Sequence, residues 1–363
     1  MYSVMTKAKD RQSQLFSDPP ENKAGVLPST RYQGSKYKII DWIDCYTKDL
    51  KFNSVLDAFG GTGCVGYMLK KNGKQVFYND SLKFNYYIGL AIIENSKTTL
   101  NDSDIDFILT KHSKIIYPTF VYDTFHDIYF TDEENKWLDV VITNISRIKD
   151  KYKQALAYYA LFQACIIKRP YNLFHRKNLY IRTAEVERSF GNKKSWDTPF
   201  EDHFKIFAEE ANNAVFDNKR QNKAFHSDIF DLNIQADLVY IDTPYISAKG
   251  VGVNYFDFYH FLEGIVCYDK WPSLIDKKSK HKKILNGKNE WCNKEEIHRA
   301  FEKLFNKFKN SILVVSYRDD GTPTIEELLN MLKKYKYSIE VKKLNYKYVL
   351  SNGNSKEVLI IAK

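Results

Sequence analysis

Ser54-Val55-Leu56-Asp57-Ala58-Phe59 is apolar enough for a buried strand and runs directly into Gly60-Gly61-Thr62-Gly63. An apolar helical stretch begins at Cys64 and stops near Asn72-Gly73, and Gln75-Val76-Phe77-Tyr78-Asn79-Asp80 is a second strand that ends in an acid. Strand, glycine turn, helix and strand within ~30 residues is a βαβ unit, with parallel strands and a right-handed crossover. No other feature constrains the fold as strongly.

Strand signals resume at Ala224-Phe225-His226, at Asp237 to Asp242 and at Ser311 to Tyr317, the last followed by a helix from about Thr324 to Tyr335. Two alternating strands close the chain, Ser338 to Tyr346 and Glu357 to Ala362, with the turn signal Ser351-Asn352-Gly353-Asn354 between them. A helix is expected after Gly34-Ser35, where Ile39, Ile40, Ile43 and Tyr46 fall at helical spacing. From Leu82 to about Ala214 the pattern is largely helical, broken at Pro118, Pro170 and Pro199, and this stretch is too long for a connection. The expected fold is α/β: a Rossmann-like, doubly wound sheet with a terminal antiparallel hairpin, interrupted by a mostly helical inserted domain. The boundaries predict a flexible N-terminal arm over 1–28, a sheet domain over 29–96 and 222–363, and the insertion over 97–221.

The 363 residues are 44% hydrophobic and 28% charged, which excludes wholesale disorder. No run approaches the ~18 apolar residues that span a bilayer, and the polar start, Met1 to Gln14, has no secretory h-region, so no membrane association is expected. Five widely spaced cysteines without a Cys-x-x-Cys pair read as reduced thiols of a cytoplasmic protein. No His/Cys/Asp cluster has metal spacing, so no metal is expected.

The net charge is +10, unevenly spread. Residues 168–194 hold eight basic and two acidic side chains, residues 270–310 twelve basic and five acidic, and the remainder is slightly acidic. Two basic segments on a near-neutral scaffold point to a polyanion, with nucleic acid the leading candidate, against the plainer reading of a lysine-rich solvated face. In Lys168-Arg169-Pro170-Tyr171-Asn172-Leu173-Phe174-His175-Arg176-Lys177 the charges interleave with aromatics and an amide, a mixture suited to phosphate and base-edge contacts.

Gly61-x-Gly63-x-x-Gly66 after a strand, with Asp80 closing the next strand, fits an adenosine-containing cofactor: glycines let the backbone approach, and the acid accepts ribose hydroxyls. The turn alone does not separate a nicotinamide dinucleotide from S-adenosylmethionine. Asp242-Thr243-Pro244-Tyr245 sits at the carboxyl end of its strand, where open α/β sheets bind ligands. A carboxylate and an exposed carbonyl can hold both N–H groups of an exocyclic amine, favouring a pyramidal nitrogen whose lone pair is free to attack a methyl group. The ring of Tyr245 can stack on the base.

Taken together, these residues resemble the Dam-like class of S-adenosylmethionine-dependent DNA adenine methyltransferases, from Arg31 to Lys363 and with elements in the family's order. Arg31-Tyr32-Gln33-Gly34-Ser35-Lys36 is similar to the family's N-terminal motif and implies that Tyr32 and Lys36 lie near the methionine end of the cofactor. Asp57 to Gly63 resembles its Asp-x-Phe-x-Gly-x-Gly turn, implying cofactor contacts from Asp57, Phe59, Gly61 and Gly63, with Asp80 as the ribose acid. His226-Ser227-Asp228-Ile229 resembles a segment whose acid binds the adenine amine, a role that passes to Asp228. Asp242 to Tyr245 matches the family's Asp-Pro-Pro-Tyr signature except at Thr243, where Pro is usual. The backbone carbonyl survives that change and the rigid φ does not. Tyr255 to His260 corresponds to a loop near the flipped base. The resemblance also implies that the insertion holds target recognition, with Arg169, Arg176, Lys177 and Arg182 as guanine or phosphate contacts and Asn172 as an adenine contact. Salt bridges within the helical region are the alternative for those arginines.

The expected activity is therefore methyl transfer from S-adenosyl-L-methionine to the amine of a flipped-out adenine in double-stranded DNA, with a cognate restriction endonuclease as a further partner. The alternatives are a catalytically impaired DNA-binding relative, or an amino-methyltransferase acting on cytosine or on RNA adenine.

Overall fold

The computed structural model describes residues 25–186, 193–247, 252–285, 287, 289–344 and 356–363. Most of the expected N-terminal arm and the hairpin turn at 351–354 lie outside the described residues.

Among the described residues nine strands form: β1 (Ser54–Asp57), β2 (Gln75–Asp80), β3 (Lys223–His226), β4 (Leu238–Ile241), β5 (Ile246–Ser247), β6 (Ile312–Arg318), β7 (Gly321–Thr322), β8 (Ile339–Leu344) and β9 (Glu357–Ala362). Seven of them make one sheet in the order β3-β2-β1-β4-β6-β9-β8, and β5 pairs with β7 separately. β1, β2, β3, β4 and β6 run parallel to their neighbours; β9 runs antiparallel to both β6 and β8. The expected Rossmann-like sheet and terminal antiparallel hairpin are both present.

Strand alternation divides the interior into two cores. Val55, Leu238, Tyr240, Val314, Leu359 and Ile361 face one layer, whereas Leu56, Val239, Ile241, Leu313, Val315 and Ile360 face the other. The second layer is closed by the helices Ile297–Lys307 and Ile325–Leu332. The first is closed by the long helical segment. Tyr158, Phe162 and Phe207, from the helices Lys151–Ile167 and Phe200–Ala214, belong to the same apolar cluster as Val76, Tyr78 and Phe84. The helices Lys151–Ile167 and Phe200–Ala214 thus bury apolar faces against the sheet. Spread over every side of Lys151–Ile167, buried residues make that helix a central one, as an all-round apolar surface requires.

Among the described residues no helix is long and apolar enough to cross a membrane. No group of three or more His, Cys, Asp or Glu side chains there could hold a metal ion.

Candidate active site

β1 and β4 lie side by side in parallel, and the strand order reverses between them, β2 and β3 extending one way and β6 the other. A crevice opens at such a reversal beyond the carboxyl ends of the strands. Asp57 ends β1 and Asp242 directly follows β4, so both acids reach this crevice.

The turn after β1 is built around left-handed glycines. Gly61 has φ +51°, and Gly63, at φ +71°, caps the helix Cys64–Lys71. Either angle would strain a residue with a side chain. Buried Asp57 faces the start of that helix and accepts the Gly66 N–H at 3.0 Å. Burial first, then neighbouring Asp242 and Asp80, push its carboxyl up to about 7, against the pull of the Gly66 N–H. Asp80 is tied into the same turn: its Oδ2 accepts from Gly61 N at 2.9 Å and from Asn85 Nδ2 at 3.1 Å, and its Oδ1 from Leu82 N at 2.8 Å. Desolvation nevertheless pushes Asp80 up to about 6.

Together with Tyr32 and Lys36, these groups line a cavity of about 90 Å³ that also includes Phe59, Pro244 and Tyr255. A second groove of about 620 Å³ shares Phe59, Ser81, Leu82, Pro244, Phe256 and Asn289 with the first and continues to Asp228, Ile229 and Trp291. Asp228 is exposed at this second groove, its Oδ1 accepting the Phe230 N–H at 2.8 Å. Tyr32 stacks on Tyr259 (centroids 4.3 Å apart) and on Tyr255 (5.6 Å), so an aromatic column stands opposite the acids.

Lys36 is buried, and its ammonium lies 2.9 Å from Asp242 Oδ1, 3.1 Å from Glu357 Oε1 and 3.2 Å from the Tyr245 hydroxyl. Asp242 keeps 18% of its side chain exposed. Burial pushes its carboxyl up to about 6; Lys36 opposes that shift and Glu357 adds to it. Thr243 is buried, and its hydroxyl has no hydrogen-bond partner. Tyr245 does not line the cavity as a stacking plane: it is buried with its ring edge-on to Tyr317 at 6.0 Å and its hydroxyl on Lys36. Tyr32, Phe59, Tyr255 and Phe256 supply the aromatic faces of the cavity.

The basic segment separates into two kinds of residue. Arg169 and Arg182 are buried, which corrects the expectation that they meet a duplex. Arg169 donates to the carbonyls of Leu173, Tyr129 and Arg176 and to Asn178 Oδ1. Arg182 forms a two-pronged bond to Glu134 at 2.9 and 2.7 Å. A guanidinium taken out of water needs partners for its donors, and the fold supplies them internally except at Arg182 Nε, which has none among the described residues. Asn172 is half-buried in a left-handed backbone conformation (φ 59°), whereas Arg176 and Lys177 are exposed, Lys177 pairing with Asp127 at 2.7 Å. The second basic segment folds back toward the first. The Tyr129 hydroxyl donates to the His281 carbonyl, the His281 ring lies 5.5 Å from His260, and His260 contacts the Phe174 carbonyl. His260 itself is fully buried.

Sequence reasoning missed Glu357, Trp291 and Asn289. Glu357 carried a signal, as the one charge in an otherwise apolar strand. Trp291 and Asn289 were hidden in a segment whose lysines dominated its reading.

The sequence profile of the D12 class N6 adenine-specific DNA methyltransferases matches residues 32–320. The chain is 32% identical to the Type II methyltransferase M2.HphI of Haemophilus parahaemolyticus over 338 residues, 91% of this chain and 95% of that protein. It is 25% identical to the Type II methyltransferase M.NlaIII of Neisseria lactamica, covering 85% of this chain and 89% of the relative. It is also 27% identical to the Type II methyltransferase M.FokI of Planomicrobium okeanokoites, where 84% of this chain matches 47% of the relative. With the glycine turn, Asp80 and the Asp242 loop gathered at one crevice, the chain belongs to the D12 class of N6 adenine-specific DNA methyltransferases.

Proposed function

We propose that this DNA adenine methyltransferase uses S-adenosyl-L-methionine, flips its target adenine into the cavity at Asp242, and serves as the modification partner of a restriction endonuclease. The observation that carries the reading is Asp242 at the mouth of the glycine-turn crevice, with Oδ1 on Lys36 and part of the carboxylate open to the cavity. The crevice fits the cofactor. A Cβ on Gly61 would meet nothing closer than Phe59 O at 3.9 Å and Tyr32 Cε1 at 4.0 Å, so a side chain there would occupy cavity space instead of packing. Asp80 would accept from the ribose, Asp228 from the adenine amine, and Tyr32 and Lys36 would border the methionine end, with Asp57 holding the turn. Bound there, the cofactor supplies an electrophilic methyl group on a sulfonium.

The chain's own work is alignment. Asp242 and the carbonyl of Thr243 accept the two N–H groups of the amine, Pro244 borders the base, and Tyr245 acts through its bond to Lys36. Flipping costs about a few kcal/mol, and phosphate contacts offset it. The exposed Arg176 and Lys177, together with Lys277, Lys278 and Lys280 of the folded-back segment, are the proposed duplex face, with Asn172 at its edge. The similarity to M2.HphI, M.NlaIII and M.FokI, each a Type II methyltransferase by name, supports the pairing with an endonuclease.

Purified protein incubated with mixed-sequence duplex DNA and S-adenosylmethionine, then digested to nucleosides for mass spectrometry, tests the reading. N6-methyldeoxyadenosine is expected, and it should be absent with Asp242→Ala. Methyl on deoxycytidine, or no methylated nucleoside, would overturn the assignment.

A further inference from the structure

We propose that Glu357, a buried carboxylate on β9, is a positioning residue for methyl transfer: it anchors Lys36 to the sheet so that Lys36 holds Asp242 in the orientation that receives the target amine. This rests on Asp242 being the acceptor of that amine.

Lys36 belongs to the short turn of helix Lys36–Ile39, and its side chain reaches the carboxyl edge of the sheet. An ammonium 2% exposed needs nearby acceptors, and three surround it: Asp242, Glu357 and the Tyr245 hydroxyl. They differ in how firmly they are held. Asp242 and Tyr245 lie on the loop after β4, outside the ladder. Glu357 opens β9, pairs with Arg318 of β6 in the antiparallel register, and is fully buried. Its Oε1 also accepts from Ser316 Oγ at 3.2 Å, a second tie to β6. Lys36 therefore bridges a fixed point in the sheet to a carboxylate on a loop.

The other oxygen, Asp242 Oδ2, accepts no hydrogen bond from the described residues. With Oδ1 held by Lys36, Oδ2 is the acceptor left for an N–H group in the cavity. If the Glu357 tie were lost, the flexible four-carbon stem of Lys36 would lose this link to the sheet. Glu357 brings a second carboxylate to the Lys36 ammonium at a buried site, where ion pairs roughly break even in stability.

The groups facing Asp242 are Lys36, Glu357, Asp57 from β1, Tyr240 from β4 and Tyr255 from the helix Tyr255–Ile265. Among them, Glu357 raises the proton affinity of Asp242 and Lys36 lowers it. Glu357→Gln keeps the side chain's size and removes its charge, which has two separable effects. Lys36 is held less well, so the single-turnover rate on its alkaline plateau should fall about tenfold, as for loss of a charge-assisted bond. The acid limb of the rate should also move to lower pH, because a group that hindered the ionisation of Asp242 is gone. A merely structural Glu357 would not move that limb.

The test measures single-turnover transfer against pH for the wild type and Glu357→Gln, alongside the cofactor dissociation constant by calorimetry and thermal unfolding of the unliganded protein. Support is a folded variant with cofactor affinity within about twofold, a lowered plateau and a shifted acid limb. A folded variant whose profile superimposes on the wild type overturns the proposal. If Glu357→Gln does not fold, Ser316→Ala decides: loss of one neutral tie should lower the plateau about threefold, and an unchanged plateau rejects the role. Asp242→Asn is run in parallel. Retained transfer there would overturn the assignment of Asp242 itself, whatever Glu357 does.

Discussion

Two clusters of buried charge stand in this molecule, and their balances are opposite. In the helical layer, Glu134 stands against Lys168 and Arg182, at 2.9 and 2.7 Å, with Arg169 close by. The spare donors there end on backbone carbonyls: those of Trp196 and Thr198 for Lys168, of Tyr129 for Arg182, and of Leu173 for Arg169. Burial works against the charge on Glu134, but Arg182 and Lys168 outweigh it and hold the carboxyl below its usual range. At the crevice the Lys36 ammonium meets two carboxylates, Asp242 and Glu357, and Asp242 is held above the usual range, at about 6. A cation-rich cluster can be closed by the chain's own carbonyls, and it then acts as a brace. A carboxylate-rich cluster has few backbone donors to call on beside a cavity, so acceptor capacity is left over for a ligand.

This contrast can be broken by experiment. The largest expected effect is Asp242→Ala, which should lower transfer by about 10²–10³-fold or more with cofactor affinity largely kept; a parallel loss of cofactor binding in calorimetry would move Asp242 out of the reacting centre. Next, Glu134→Ala leaves two buried cations unpaired and should destabilise by about 3–5 kcal/mol in urea unfolding. A small stability loss joined to a large loss of DNA affinity would mean that the brace is an interface after all.

Smaller still is the pH effect at Asp57. Its folded pKa, about 7, lies above the ordinary 3.8, so its protonated form favours the fold. That contribution is complete below about pH 4 and is lost as pH rises through 7. Asp57→Asn should therefore be more stable than the wild type at pH 8, with the gap closing toward pH 4; a gap independent of pH would place the effect elsewhere. The smallest effect belongs to the exposed basic residues. Arg176→Ala and Lys177→Ala should each weaken DNA binding uniformly across sequences and reduce the salt slope by about 1, an effect that Glu134→Ala should not show.

The sheet, its closing hairpin and most of the crevice were legible from local pattern. The glycine turn, Asp80 and Asp242 are each marked by neighbours within a few positions, at the ends of strands that alternation already identifies. The fate of the arginines was not legible. Arg182 meets Glu134 across 48 positions, and nothing near either residue announces the pairing. The stretch from Leu82 to about Ala214 reads by its length as a second domain or a large insertion; that helices within it close one face of the sheet shows only in the shared cluster of Tyr78, Phe84 and Phe162. Tyr245 was expected to offer its ring to a base, and its hydroxyl instead reaches Lys36.

By itself, then, the sequence determined the main strands, the turn that cradles a ligand and the acids that border it, because backbone preference and strand termini are local properties. The tertiary structure alone decided which charges are spent internally and which stay available. That outcome depends on desolvation and on partners brought from distant strands and helices, as Glu357 is brought to Lys36.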